Sequence, residues 1–129
     1  IDGYTVLHKP ARIIAFQPHM HIRGKRQCLE LIYPTAGPSA RTEVINCANF
    51  NYNWHLTYNY ADDVQPLAPA GTILHMISWD DNSTANKANP DPKKNVYWGD
   101  QTWEEMQFTA ITFSTSSAAE KTTGGDQKK

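Results

Sequence analysis

Short extended runs, each cut off by a turn signal, recur along this chain and limit it to a fold built from strands. They fall at 4–7, 12–22, 26–33, 42–47, 56–60, 72–79 and 106–113. The breaks carry Lys9-Pro10, Arg23-Gly24-Lys25, the Pro- and Gly-bearing stretch 34–40, the segment 66–71, and a long segment 80–100 rich in Asn, Asp and Pro. Evenly spaced strand-and-turn signals of this kind mark sandwiches and barrels. No segment sustains helical periodicity and no internal repeat is present, so the expectation is an all-β, antiparallel, jelly-roll-like β-sandwich. At 129 residues the chain is long enough for one core and too short for two. The domain is expected to occupy 1–113. From 114 to 129 there is no large apolar residue to offset the entropy of ordering, so a disordered tail or linker is expected there.

The formal net charge of −1 and the lack of any basic block longer than two residues leave no nucleic-acid footprint. No apolar run approaches the roughly 20 residues of a membrane-spanning helix. Ile1-Asp2-Gly3-Tyr4 lacks the basic start and apolar centre of a signal peptide, so the sequence reads as a mature segment or an excised domain. Cys28 and Cys47 flank the 34–40 turn. If 28–33 and 42–47 pair as a symmetric hairpin, the two cysteines oppose each other at disulfide distance; the alternative is two buried thiols. A bridge would imply an oxidising compartment: secreted, periplasmic or extracellular. Asn82-Ser83-Thr84 fits the N-glycosylation pattern, which agrees with that location but is common by chance.

The chemistry-bearing segment is Gln17-Pro18-His19-Met20-His21. On a strand, residues two apart share a face, so His19 and His21 project side by side and Met20 points the other way. Ile14, Phe16, Met20 and Ile22 are expected to form the core face. Ile13, Ala15, Gln17, His19 and His21 are expected to face outward, leaving a site open to solvent or a partner. By itself a His-x-His strand is more often a surface pair than a metal site.

Further motifs lie downstream: Phe50-Asn51-Tyr52-Asn53-Trp54, Asp81-Asn82-Ser83, Asn89-Pro90-Asp91-Pro92, and Trp98-Gly99-Asp100-Gln101-Thr102-Trp103-Glu104-Glu105-Met106. Together with Pro18-His19-Met20-His21 and Gly24-Lys25, they resemble the C-terminal domain of the copper type II, ascorbate-dependent monooxygenases. That family includes peptidylglycine α-hydroxylating monooxygenase and dopamine β-hydroxylase, and the resemblance is closest to bacterial secreted single-domain forms. It covers roughly residues 10–113. It implies one copper ion, with metal-ligating and catalytic roles for His19, His21 and Met106. Imidazole suits both copper oxidation states and a thioether favours the reduced one. Three ligands leave a position open, as dioxygen binding needs. Without the resemblance, Met106 would be read as a core methionine. Gln107 stands where the animal enzymes carry a half-cystine, so any Cys28–Cys47 bridge is a different one.

Asp100, Gln101, Trp103 and Asn82 are candidates to fix the long loop or to orient the histidine rings. Core packing is the simpler expectation for Trp98 and Trp103. His8, His55 and His75 are expected to be hydrogen-bonded structural residues; Arg23, Lys25 and Arg26 are the only candidates to anchor a peptide carboxylate, the alternative being solvated turn residues. The implied function is the dioxygen-activating half of a copper-dependent monooxygenase that hydroxylates a C–H bond of a small-molecule or peptide substrate. Its electrons would come from another domain, a partner protein, ascorbate or another reductant. The alternatives are a non-enzymatic copper-binding or electron-transfer module in a secreted multidomain protein, and an adhesion or structural sandwich. A zinc hydrolase fits least, because thioether is a poor zinc ligand and no general base accompanies the pair.

Overall fold

The computed structural model describes residues 1–35 and 41–115. The expected loop tip at 36–40 and most of the expected tail, 116–129, lie outside the described residues. Eight strands appear in chain order: β1 Asp2–Val6, β2 Ala11–Met20, β3 Gly24–Ile32, β4 Thr42–Asn49, β5 Tyr58–Asn59, β6 Leu67–Ala68, β7 Ile73–Asp80 and β8 Gln107–Ser114. One antiparallel sheet has the order β1-β7-β3-β4. In the other, β2 is central, with β8 on one side and β5 and β6 on the other. The fold is the expected all-β sandwich. Among the described residues no helix is long and apolar enough to cross a membrane.

Each predicted run contains a strand. The 56–60 run shortens to two residues, and β6 was not foreseen because a two-residue strand beside Pro66 has no alternation to read. The inward faces of the two sheets supply Ile13, Phe16, Leu29, Leu31 and Leu74, all buried in one cluster. Complete burial of such a side chain contributes about 1.5–3 kcal/mol. Near one end of the core, buried Gln27 of β3 donates from Nε2 to Ser78 Oγ at 2.9 Å and accepts from the Thr109 hydroxyl at 2.7 Å. The sheets are thus joined by a satisfied polar link as well as by apolar packing.

Cys28 and Cys47 face each other in the β3–β4 ladder, 4.1 Å apart at Cα, and form a disulfide. The symmetric hairpin register holds from Arg26↔Asn49 to Leu29↔Asn46, and a bulge then shifts it by one residue. Closing a loop of this separation, 19 residues, stabilises the fold by about 3 kcal/mol in the chain-entropy picture.

The expected face assignment along β2 needs one correction. The β2–β8 register shifts between Ile13 and Ala15, so the extra residue Ile14 flips the phase. Ile13, not Ile14, is the completely buried residue, while Phe16 and Met20 face the core as expected. Beyond the bulge Gln17 and His19 are half-buried on the outer face, whereas Ala15, also expected to face outward, is buried.

Candidate metal centre

The site is set by the β2–β8 ladder. His19 lies opposite Phe108 and Met20 opposite Gln107. The ladder ends there, with His21 immediately after β2 and Met106 immediately before β8. Directly opposed Cβ atoms in such a ladder are about 4.5–5.5 Å apart. On the β5 side the pairing stops at Phe16↔Tyr58, and the segment before β5 carries His55, whose ring centre lies 5.0 Å from that of His19, edge to face. On the other side the Phe108 ring centre lies 6.5 Å away. His19 and His21 are 5.6 Å apart between ring centres. The structure therefore brings the His19 ring beside those of His21 and His55, with Met106 immediately before the first residue of β8.

Pro18 lacks an N–H, yet the strand continues through it. Ile14 O accepts from Tyr60 N on the β5 side. Alternate residues face the same way, so the missing donor of Pro18 points where β5 has already ended and no ladder bond is lost.

The expectation of an open pair holds only for one of its members. His21 is buried, at 4 % exposure, and His19 is half-buried. The cover is the segment leading into β8. His21 Nδ1 lies 3.1 Å from the Glu104 carbonyl oxygen. A carbonyl only accepts, so Nδ1 carries the proton and the Nε2 lone pair is free. This is the arrangement by which a backbone carbonyl fixes the tautomer of a metal-binding imidazole. Among the described residues, neither ring of His19 or His55 has a hydrogen bond. Burial, then the neighbouring His55 and His21, hold the His19 pKa below its ordinary value, which favours the neutral, ligand-competent ring.

Arg23 is not a solvated turn residue; it is 2 % exposed and ties down the long loop. Its Nε donates to Asn82 Oδ1 at 3.0 Å and Asn89 Oδ1 at 3.1 Å, and its NH1 donates to Trp103 O at 2.6 Å. Lys25 joins through Asn86 Oδ1 at 2.7 Å. Arg26 lies over the Trp79 ring. The loop end is closed by Gly99 N donating to Glu105 O and Glu105 N to Tyr97 O, both 3.0 Å. A Cβ on Gly99 would fall 2.0 Å from the Glu104 carboxylate, so a larger residue there would have to displace that side chain. Gly24 is required: a Cβ there would lie 2.5 Å from Met20 Cβ, inside the turn whose Gly24 N donates to His21 O.

Of the four proposed supporting residues, Asn82 fixes the loop through its side chain, and Gln101 and Trp103 through backbone groups. Asp100 makes no side-chain hydrogen bond among the described residues. None of the four orients a histidine ring; the Glu104 carbonyl does. Trp98 and Trp103 are not core residues, being 69 % and 58 % exposed. Beside Met106, the Glu105 carboxyl is pushed up to about 7 by burial and by the adjacent Asp80 carboxylate, against the opposing pull of Arg23. Among the described residues, Asp80 Oδ1 is buried with no hydrogen-bond partner, while Oδ2 accepts from Gln107 Nε2 at 2.8 Å.

His75 is the structural residue expected, held between Glu30 and Asp2. His55 is the residue whose position sequence reasoning missed. Nothing in its neighbourhood signals the register of a two-residue strand, and only that register brings it to His19.

Imidazole suits both copper oxidation states, while a thioether favours Cu(I). Among the described residues no three His, Cys, Asp or Glu side chains converge on a common ion position; the thioether of Met106 lies outside that donor set. Compared with known proteins, the chain matches no family model, no curated protein and no solved structure.

Proposed function

We propose that this chain is a mononuclear copper domain, the dioxygen-activating half of a copper-dependent monooxygenase, with His19, His21 and Met106 as ligands. The observation that carries this reading is the fixed tautomer of His21, whose Nδ1–H is spent on Glu104 O while Nε2 stays free beside the unbonded ring of His19. A surface histidine pair has no need of a buried, carbonyl-oriented partner. The disulfide agrees with a secreted, periplasmic or extracellular setting, where copper enzymes of this kind and their reductants meet.

Copper bound here would supply dioxygen activation for hydroxylation of a C–H bond. One oxygen atom enters the substrate and the other leaves as water, so two electrons must come from a donor such as ascorbate or a partner domain. The chain's own residues bind and orient. Arg23 and the Asn82–Asn89 pair hold the 81–105 loop, Glu104 O sets the His21 ring, and the loop keeps water from one side of the site. A cleft of about 510 Å³, lined in part by Ile22, Lys25, Phe50 and Tyr52, adjoins the His55 ring and offers a substrate a place to lie.

The test is copper titration followed by dioxygen uptake. The account expects sub-micromolar copper binding, dioxygen uptake by the reduced protein, and faster consumption in the presence of a substrate and ascorbate. Copper binding without dioxygen uptake would favour an electron-transfer module. No copper binding would leave a structural sandwich as the better description.

A further inference from the structure

We propose that the cavity beneath the 81–105 loop binds a small organic carboxylate with an aromatic or apolar body. The cavity measures about 610 Å³ and is lined in part by Arg23, Asp91, Lys94, Tyr97, Trp103 and Glu104. That volume is the size of a small-molecule site. Neither a histidine nor Met106 lines it, so a ligand here needs no metal.

The lining charges decide the sign of the ligand. Both lining carboxylates already hold backbone donors of the loop: Asp91 Oδ1 accepts from Lys93 N at 3.0 Å, and Glu104 Oε2 accepts from Gln101 N at 2.9 Å. The cations are left over. Arg23 Nε is taken by Asn82 and Asn89, and Nη1 by Trp103 O, with Glu105 Oε1 at 3.8 Å. Its Nη2 has no hydrogen-bond partner among the described residues. Nor is that atom sealed in, since the described side-chain atoms that are buried without a partner are Tyr60 Oη and Asp80 Oδ1. An unpartnered but reachable nitrogen on a side chain only 2 % exposed opens onto the cavity that Arg23 lines. Lys94 Nζ likewise has neither a hydrogen bond nor an ion pair among the described residues. A carboxylate supplies the acceptors that both lack, in charge-assisted bonds.

The walls decide the rest of the ligand. Tyr97 and Trp103 are 74 % and 58 % exposed, yet their backbone is held, Tyr97 O by Glu105 N and Trp103 O by Arg23. Exposed aromatic rings on a fixed backbone beside a buried guanidinium offer stacking to a flat acid. A bare inorganic anion would use none of it.

The experiment titrates the isotope-labelled full chain with benzoate, with benzamide as its uncharged analogue, and with inorganic phosphate, read by nuclear magnetic resonance. Lys94→Met and Trp103→Ala are titrated with benzoate in parallel; both change exposed side chains, and amide spectra unchanged outside the loop confirm that they fold. The expected result is saturable benzoate shifts centred on Arg23 Nε–H, the Trp103 indole and residues 94–105. Binding should be about tenfold weaker for benzamide, for phosphate and in Lys94→Met, and a few-fold weaker in Trp103→Ala. No saturable benzoate shift, or shifts centred elsewhere in the chain, overturns the proposal. So does benzamide or phosphate binding as tightly as benzoate, or benzoate affinity unchanged in either variant.

Discussion

His75 stands mid-ladder in one sheet and His19 near the end of the β2–β8 ladder in the other, and their surroundings differ in kind. Around His75, Nδ1 faces Glu30 at 3.0 Å, Nε2 faces Asp2 at 2.8 Å, and the Tyr4 ring stacks on it at 4.4 Å. Both nitrogens are spent, and the ring fastens β1 to β7 and β3. Around His19 the neighbours are His21, His55 and Phe108, and no protein group takes either nitrogen. Carboxylates at both nitrogens make a structural clasp, whereas imidazoles packed beside imidazoles leave lone pairs for an ion. The contrast separates a histidine that stabilises from one that is kept available.

The largest effect should come from the cover over the site, which His75 lacks. Arg23→Met leaves Asn82, Asn89 and the Trp103 carbonyl without their buried donor, and breaking a buried charged network costs about 3–5 kcal/mol. Chemical denaturation should show that loss, and hydrogen exchange should rise in the 81–105 loop while β1 stays protected. Equal loosening of both regions would mean the loop is no separate cover.

Next in size is metal affinity. His19→Ala and His21→Ala should each weaken copper binding about 100-fold or more, while His75→Ala leaves it unchanged in the same competition titration. A comparable loss in His75→Ala would erase the distinction between the two histidines. Stability should respond the other way. His75→Ala removes two hydrogen bonds to carboxylates and should cost about 1–2 kcal/mol, with faster amide exchange in β1.

The smallest effect is a pH slope from Glu105, whose pKa is raised to about 7 from an ordinary 4.5. Between those values the folded form keeps a proton that the unfolded chain has released. Its contribution to stability is therefore full at acid pH, declines as pH rises through that window, and is flat above it. Glu105→Gln, which mimics the protonated carboxyl, should flatten this part of the wild-type stability profile. An unchanged slope would place the raised group elsewhere.

How far the chain discloses itself follows from the range of each interaction. The strand runs and the Cys28–Cys47 bridge were legible because alternation and hairpin symmetry are local. The face carrying His19 and His21 was legible for the same reason, although the bulge at Ile14 inverted the assignment upstream of it. Met106 entered through a resemblance, and in the structure it immediately precedes β8, one residue before the end of the β2–β8 register. Burial of Arg23 was hidden, since a charged residue in a Gly-Lys turn gives no sign that Asn82 and Asn89 return to it some sixty residues later. The exposure of Trp98 and Trp103 was equally hidden, because tryptophan composition says nothing of which side of a loop faces inward. His55 depended on a two-residue strand, the weakest of all local signals.

The central claim is that His19, His21 and Met106 hold one copper ion, and X-ray absorption on the Cu(I)-loaded protein tests it most directly. The account predicts a first shell of imidazole nitrogen with one sulfur, and loss of that sulfur in Met106→Ala with the nitrogens retained. A wild-type first shell without sulfur, or one whose sulfur survives Met106→Ala, would contradict it.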